Sequence, residues 1–348
     1  MDIQKQEGGN YSQNIQVNGN YTCGITYTEA RQIALDVFNA NCQTLMQEAA
    51  RVSEIRANKI VDDFAIKLFE EHPELSHRLQ EPSIQYSTFS VIKNYVKTGD
   101  EDLKERLLGM LIHRMAVKDR SMEQIVLDEA IEVLPKLTQD QVNSLSLILS
   151  AININHNINN LNRFKDFINN KLVVFYPNHR SDSSYTHLQY TGCCTLLSEG
   201  STYKPFLEIL RNRYNGLFYK GFSTEMLRGF FPDDYDRIES IITVCQQNAT
   251  LLQFNAMNES VLDNAIKTHN LESFSSKIKQ FSKQNQMNDE ELNSFLYEIN
   301  PRMIDLMEEW KGERSSIKSI SLTPVGYVIA VLNYNLKTKE QISFSGFI

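Results

Sequence analysis

Two residues in the middle of the chain, Arg180 and His187, have side chains and a spacing that could support phosphodiester chemistry. A histidine can act as a general acid or base, and an arginine can stabilise the negative charge that develops on a phosphate. Six residues separate the two, and Ser181 beside the arginine is polar. A surface loop in which His187 caps or packs explains the same residues, and we favour that interpretation.

The same region contains a second cluster of chemically capable side chains, namely His179, His187, Cys193 and Cys194. Zinc sites usually take their ligands from spaced pairs such as Cys-x2-Cys, whereas these two cysteines are adjacent. We therefore interpret the cysteines as small buried side chains and predict no metal site. The sequence also lacks a phosphate-binding glycine loop and a dinucleotide fingerprint, so we expect no cofactor.

An aromatic run, YNGLFYKGF over residues 214–222, is a third candidate. Its two glycines would allow a tight loop that exposes the rings of Tyr214, Phe218 and Phe222. Exposed rings commonly mark a partner or ligand surface, so we predict partner binding there. The alternative is that the run packs a turn onto the core.

The composition limits the class of protein. The chain has 348 residues, of which 41% are hydrophobic and 22% are charged, and its net charge is -8 with a pI near 5.5. This balance disfavours broad nucleic-acid binding, which needs a surplus of lysine and arginine. Five cysteines at irregular spacings, no signal-peptide pattern and no membrane-length apolar run predict a cytoplasmic protein without a membrane span.

Most of the elements that must position these residues are predicted to be helical. The tetrapeptide Gly-Asn-Tyr-Ser at 9–12 returns as Gly-Asn-Tyr-Thr at 19–22, which predicts a small β-arch or hairpin over 1–26. A capping box at Thr26 and Glu29 then starts a helix that continues to about Glu71, roughly 60 Å long. Its apolar positions do not follow a strict heptad, which favours a bundle-like seam over a perfect coiled coil.

The predicted domains are an arch at 1–26, a long helix at 27–72, a helical bundle at 73–152 and a mainly helical C-terminal domain at 163–348. Six asparagines in 153–162 mark the junction between the last two. Residues 188–199 are predicted to be a buried helix. A strand at 317–322, a helix opened by Thr323-Pro324 and a strand near 339–348 form a small strand-helix-strand element at the end.

Self-assembly is the function that this organisation favours. Two short strands are not stable alone, and the chain offers few other strands to pair with them. A second copy of the chain would supply the missing partners, and another protein is a further possible partner. The predicted interface residues are Tyr11, Ile15, Val17, Tyr21, Ile33 and Val37.

The junction of arch and long helix, GNYSQNIQVNG…GITYTEARQIALDVFNANCQTL, resembles an uncharacterised family of bacterial proteins. The runs LDEAIEVLPKLTQDQ at 127–141 and YNGLFYKGF at 214–222 are similar to later signatures of that family. The resemblance implies no activity and no catalytic residues. The order of helical bundle and then LTPVG at 322–326 is similar to abortive-infection phage-defence proteins, which implies a sensor or scaffold in antiviral defence.

Two alternatives rest on looser resemblances. Arg180 and His187 are similar to the Arg-x6-His motif of HEPN-type domains, which implies a helical ribonuclease. Leu322–Gly326 resembles the end of winged-helix domains, which implies a DNA-binding regulator, although the sequence shows no basic recognition helix beside it. The arch also resembles amyloid signalling motifs, but Asn18 stands where those have glycine.

Overall fold

The structure is a computed structural model that describes residues 7–11, 24–117, 120–179, 181–198, 200–311 and 317–347. These residues form a mainly α-helical protein with short antiparallel strand pairs, so the predicted fold class is confirmed. The chain divides into two compact units, residues 1–59 and residues 60–348. The predicted arch at 1–26 lies mostly outside the described residues.

The first helix, α1 (Tyr27–Ile66), is the longest element, and a π-helical turn at Lys67–Glu71 continues it. The predicted long helix is therefore confirmed almost to the residue. Pro73 follows and opens a 3-10 segment, because proline has no N–H to continue the helical hydrogen bonds. The boundary between the two units falls inside α1, and only its last turns, at Ile60 and Phe64, are buried.

The rest of the first half consists of short amphipathic helices joined by tight connections. Side-chain oxygens of Asp100, Ser121, Thr138 and Asn160 cap four of them at the first turn. In chain order these helices are α2 (Pro82–Thr98), α3 (Glu101–Ala116), α4 (Met122–Val133), α5 (Gln139–Ile148) and α6 (Leu161–Asp166).

The second half continues in the same way and adds short strands. Its helices and strands are α7 (Asp182–Tyr190), β1 (Cys194–Leu196), α8 (Phe206–Tyr214), α9 (Thr224–Phe230), α10 (Tyr235–Ile238), β2 (Ile242–Val244), β3 (Leu252–Phe254), α11 (Glu259–Thr268), α12 (Ser275–Gln284), α13 (Asp289–Ile299), α14 (Arg302–Lys311), β4 (Ile320–Leu322) and α15 (Pro324–Thr338).

The last helix, α15, is the centre of the main core and packs against α3, α4 and α5. Thr323 caps it, since its Oγ1 accepts a hydrogen bond from the Gly326 N–H at 3.2 Å. Gly326 is required there because a Cβ would lie 1.9 Å from the carbonyl oxygen of Cys193. The N-terminal turn of α15 therefore lies directly against the backbone that leads into β1.

A buried polar network holds α15 to α3 and α5. The Asn333 Oδ1 accepts a hydrogen bond from the Arg106 Nε at 3.1 Å, and its Nδ2 donates to the Ser146 Oγ at 2.8 Å. The Asn143 Oδ1 accepts from the Lys337 Nζ at 3.0 Å. Burial, and then the charge of Arg106, lower the pKa of Lys337. Neutral amides rather than buried carboxylates thus solvate these two cations.

The strand pairs correct two predictions. Residues 194–196 are predicted to be helical, but they form β1, which pairs antiparallel with β4 in the register Cys194–Leu322. Residues 339–347 form no strand; Ile342 there bonds the side chain of Asn335 through its N–H and its carbonyl. The final element is therefore a strand and a helix, and its second strand comes from far upstream.

The predicted division at 153–162 does not separate two bodies. Residues 60–348 form one compact unit, in which α15 packs on helices of the predicted first bundle. Arg213 of α8 also reaches back across this segment, since its guanidinium donates to the carbonyls of Ala151 and Ile152. Charged donors at the free carbonyls of a helix end stabilise that end. Because Arg213 thus joins the elements before and after the asparagine-rich segment, that segment is a connection within the unit.

Candidate self-association surface

The long helix begins at the capping box that the sequence predicts. The Thr26 Oγ1 accepts a hydrogen bond from the Glu29 N–H at 3.3 Å, and the Thr26 N–H donates to the Glu29 carboxylate at 2.9 Å. This backbone hydrogen bond holds the pKa of Glu29 below its ordinary value. The ionised carboxylate lies in the first helical turn, where the helix dipole favours negative charge.

From residue 24 to residue 51 every side chain is exposed except that of Cys42, which is half-buried. A helix in a globular protein normally buries one face, and helices of this length gain most of their stability from such packing. The large apolar side chains exposed before Ile60 on this helix and at its start are Ile25, Tyr27, Ile33, Leu35, Val37, Phe38, Leu45, Met46 and Ile55.

The charge pattern of this helix is also unusual for a surface exposed to water. Residues 37–47 contain no charged side chain, although they make three full helical turns. A solvated helix face ordinarily carries charged residues at such positions. The segment therefore has the composition of a buried helix and the exposure of a surface one.

Six residues of α1, from residue 35 to residue 52, form a continuous stripe, which we call the Leu35 stripe. Their spacing of 3, 4, 3, 4 and 3 residues is that of the a and d positions of a heptad, so the strict pattern that the whole helix lacks is present here. The stripe could have been found from this spacing alone. Its members are Leu35, Phe38, Cys42, Leu45, Ala49 and Val52.

A second, smaller stripe lies about 135° around the helix from the first, calculated at 3.6 residues per turn. It consists of Ile33, Val37, Ala40 and Ile55, which we call the Ile33 stripe. Ile33 and Val37, the two predicted interface residues on the helix, belong to it and are 51% and 57% exposed. A helix that is apolar on opposite sides is suited to burial on more than one side.

The four interface residues predicted on the arch have a different outcome. Tyr11 is described and fully exposed. Ile15, Val17 and Tyr21 lie outside the described residues. Their part in self-assembly stays a prediction.

The structure corrects the prediction of an aromatic partner surface. Tyr214, Phe218 and Phe222 are 4%, 0% and 0% exposed. The Phe218 ring meets the edge of Phe164 at 5.4 Å, and the Phe222 ring lies 4.9 Å from Phe281. The run packs into the core, as the alternative interpretation proposed.

The glycine at the start of this run explains why it is a tight turn rather than an exposed loop. A Cβ at Gly216 would lie 2.2 Å from the carbonyl oxygen of Ala256. Its N–H donates to the Met257 carbonyl at 2.7 Å. The close backbone contact, and not ring exposure, is thus the reason for glycine at this position.

The predicted ribonuclease pair is not assembled among the described residues. His187 is half-buried on α7, and its Nδ1 lies 3.0 Å from the Nε2 of Gln141, which also donates to the Ser184 carbonyl. Gln141 belongs to the capping box of α5, so this contact joins α5 to α7. Arg180 lies outside the described residues. The geometry around His187 is that of a packing histidine.

The adjacent cysteines are buried, as predicted, and have no metal-binding arrangement. Burial raises the pKa of Cys193 to about 11 and that of Cys194 to about 12, so both thiols stay protonated near neutral pH. Among the described residues no group of three or more histidine, cysteine, aspartate or glutamate side chains is arranged to hold a metal ion.

The C-terminal element cannot serve as a DNA-reading helix in the way the winged-helix resemblance implies. No residue of α15 is fully exposed, and Val328–Tyr334 is buried throughout. A recognition helix must present one face to the major groove. The burial of α15 therefore disfavours DNA reading by this helix.

A groove of about 760 Å³ in the second unit lies between the π-helical turn, α3 and the C-terminal segment. Its walls carry more carboxylates than cations. Within it the His113 ring meets the edge of Phe344 at 5.0 Å. Burial, and then the nearby His72, lower the pKa of His113. The groove is suited to a cationic rather than an anionic occupant.

A smaller cavity of about 320 Å³ lies beside α12, against Tyr219 and Leu262 of a second group of buried apolar side chains. The Tyr219 hydroxyl at its wall hydrogen-bonds the Ser282 hydroxyl. Lys279 there pairs with Glu259 at 3.1 Å and Asp263 at 2.7 Å. Of the two lysines that line this cavity, Lys279 and Lys283, the first is thus already paired with carboxylates of its own chain.

The fold and surface together define a mainly helical protein whose N-terminal helix carries an uncharged apolar surface. In the parts of the chain that are described, no helix combines the length and apolar character needed to cross a membrane.

A protein-family model described as “:-like”, with no activity named, matches residues 24–348. The match covers nearly the whole chain, so the chain belongs to this uncharacterised family, in agreement with the resemblance noted from the sequence. No curated protein and no solved structure matches it.

Proposed function

We propose that this protein assembles with copies of itself through the exposed part of α1. The observation that carries the proposal is the combination of an uncharged segment, residues 37–47, with nearly complete exposure of its side chains. Apolar surface of this extent is favourably removed from water, and patches of this kind usually mark an interaction site.

The identity of the partner follows from what the helix offers. The Leu35 stripe has heptad spacing, and two copies of such a stripe can pack with the side chains of one helix in the spaces between side chains of the other, as in the knobs-into-holes packing of coiled coils. Most oligomers of a single chain are built on two-fold contacts in which the same surface is used twice. A second copy therefore needs no further partner to cover the stripe.

The Ile33 stripe extends the proposal beyond a pair. Once two helices cover their Leu35 stripes, Ile33, Val37 and Ile55 face outward on the opposite sides. These branched side chains then form the contact between pairs, which gives larger assemblies at higher concentration. The arch residues Tyr11, Ile15, Val17 and Tyr21 stay in the proposal as a further contact between copies.

The test is the mass in solution as a function of concentration for the full chain. We expect a multiple of 40.2 kDa that falls toward 40.2 kDa on dilution. The double variant Phe38→Glu/Leu45→Glu should have the mass of one chain, because each association would bury four carboxylates in an apolar seam. The matched control, Gln43→Glu/Gln47→Glu, adds the same charge outside both stripes and should assemble normally.

Two results would contradict the proposal. One is a mass of 40.2 kDa for the unchanged chain at every concentration. The other is assembly of the Phe38→Glu/Leu45→Glu variant with unchanged affinity. The first result would leave the surface to a different partner, and the second would place the contact elsewhere on the chain.

We further propose antiviral defence in a bacterial cell as the setting of this assembly, supported by the resemblance in helical order to abortive-infection proteins. The test compares phage plaque counts on cells that express the full chain or the Phe38→Glu/Leu45→Glu variant. Protection by the full chain and loss of protection in the variant would support it. Equal plaque counts with and without the full chain would reject it.

A further inference from the structure

The sizes of the side chains along the Leu35 stripe decide how two copies of α1 face one another, given the self-association proposed above. Large and small side chains are distributed unevenly along the stripe from its N-terminal to its C-terminal end. Its sequence is Leu35, Phe38, Cys42, Leu45, Ala49 and Val52. Each possible orientation of the two helices pairs these members differently.

A parallel pair would place each residue opposite its own copy. Phe38 would then meet Phe38, which is the bulkiest layer possible here, whereas Ala49 would meet Ala49 and leave a gap. Overfilled layers force strained side chains, and underfilled layers lose contacts. The parallel arrangement therefore contains both faults within three layers of each other.

An antiparallel pair whose two-fold axis lies between Cys42 and Leu45 removes both faults. Each residue then faces the residue of the partner chain for which the two residue numbers sum to 87. Phe38 lies opposite Ala49, Leu45 opposite Cys42, and Leu35 opposite Val52. Every layer combines a larger with a smaller side chain, the arrangement that fills a core evenly.

This register also uses the stripe completely. All six members find a partner in the same stripe, and each layer joins an a position to a d position, as antiparallel coiled coils require. Moving one helix by a heptad in either direction would leave Leu35 or Val52 outside the seam. Arg31 and Arg56, at the next positions of the repeat on either side, bound the seam equally at both ends.

We infer that two copies of this chain pair through α1 as an antiparallel two-stranded seam centred between Cys42 and Leu45. Lys59 of one chain then lies beside Thr28 of its partner. At 1.5 Å per residue, the two Lys59 residues are separated by about 46 Å along the seam. The segments that follow α1 thus leave the seam at opposite ends.

The test is a distance measured between spin labels in the full chain. Glu54 is exposed and lies away from the Leu35 stripe, so the label is attached at Glu54→Cys. Cys23, which lies outside the described residues, is changed to Ser and the half-buried Cys42 to Ala, whereas Cys193, Cys194 and Cys245 are buried. The antiparallel seam predicts an axial separation of about 32 Å between the two labels. In both arrangements the labels lie on the outer sides of the pair, about 20 Å apart across it, because the 8–10 Å spacing of packed helices adds to the 5–6 Å radius of each helix with its side chains. A parallel seam therefore predicts a label distance of about 20 Å, and the antiparallel seam predicts one of about 38 Å.

Disulfide formation provides a second readout that needs no label. Chains that carry Leu35→Cys are mixed with chains that carry Val52→Cys and oxidised gently. Both chains also carry Cys23→Ser and Cys42→Ala, and both keep Glu54. We expect the mixture to form a cross-linked pair and neither variant to cross-link alone. Cross-linking of each variant with itself would indicate the parallel arrangement.

The outcomes separate this inference from the proposed function. A short label distance, or self-cross-linking at residue 35, overturns the antiparallel register and leaves self-association intact. If the protein has the mass of a single chain, shows no interaction between spin labels and forms no cross-link, both the antiparallel register and self-association are overturned. A label distance of about 38 Å together with mixed cross-links supports both.

Discussion

Truncation of Leu45 tests the self-association surface most directly. Leu45 is 63% exposed in the single chain and lies in the middle of the Leu35 stripe. Leu45→Ala keeps a good helix former at this position, so the helix itself is not weakened. The change acts on association, because the side chain has little of its surface covered before a second copy binds.

The size of the effect follows from the area that association removes from water. Complete burial of a leucine side chain stabilises by about 1.5–3 kcal/mol relative to full exposure. Roughly two thirds of this stabilisation is still to be gained when Leu45 is buried on association. The truncation therefore removes about 1–2 kcal/mol of association free energy per copy. A pair contains two copies, so the loss is about 2–4 kcal/mol, and the Kd should rise about 30- to 700-fold.

The assay is a dilution series followed by sedimentation, and the matched control is Ile55→Ala. Ile55 is a similarly sized apolar residue, 53% exposed, on the same helix but on the Ile33 stripe. Its truncation should leave the Kd of the pair within about threefold of the unchanged chain. It should weaken only the further association of pairs at high concentration.

Equal effects of the two truncations on the pair would refute the assignment of the Leu35 stripe as the seam. An unchanged Kd for Leu45→Ala would refute the burial of Leu45 on association. Loss of helical circular dichroism at a concentration where the pair persists would show instead that the substitution acts within the chain.

Two further predictions concern the core of the second unit. Asn333→Leu should lower the free energy of unfolding by about 2–4 kcal/mol in urea titrations, because it removes the hydrogen bonds that Asn333 makes with the buried Arg106 and with Ser146. Adding Arg106→Met should restore part of that loss. If the effects of the two substitutions on the free energy of unfolding were strictly additive, the network would be contradicted. Burial lowers the pKa of His156 to about 4, so His156 is neutral in the folded chain and protonates first in the unfolded one. The free energy of unfolding should therefore fall by about 3 kcal/mol more between pH 7 and pH 4 than in His156→Gln, and parallel pH profiles would contradict this.

Local signals in the sequence were sufficient for the elements that depend on local contacts. Thr26 with Glu29, and Thr323 before Pro324, define the starts of α1 and α15 because capping involves residues only three positions apart. His72-Pro73 likewise marks the end of the long helix, because proline cannot continue its hydrogen bonds. These predictions needed no knowledge of the rest of the chain.

The errors concern residues whose environment is set by distant parts of the chain. Cys194–Leu196 has a helical pattern but forms a strand, because Ile320–Leu322, more than a hundred residues later, supplies its partner. The sequence is compatible with either exposure or burial of Phe218 and Phe222. Only the packing of α6 against Phe218, and of α12 and β3 against Phe222, decides between them. Pairing and burial of this kind have no short-range signature.

The same reasoning explains why the helix residues predicted for the interface were Ile33 and Val37 rather than the larger stripe. Apolar residues lie on opposite sides of α1, so the two stripes cancel in any average over the helix and neither face stands out as the buried one. Only the uninterrupted 3-4 spacing from Leu35 to Val52 distinguishes them, since it keeps one set of side chains on one line while the Ile33 stripe is broken between Ala40 and Ile55. A helix buried on one side by its own chain would show a single polar face. The absence of such a face on residues 24–51 is what a helix packed by other copies on two sides requires, and it makes the order of assembly testable: the Leu35 stripe first, the Ile33 stripe second.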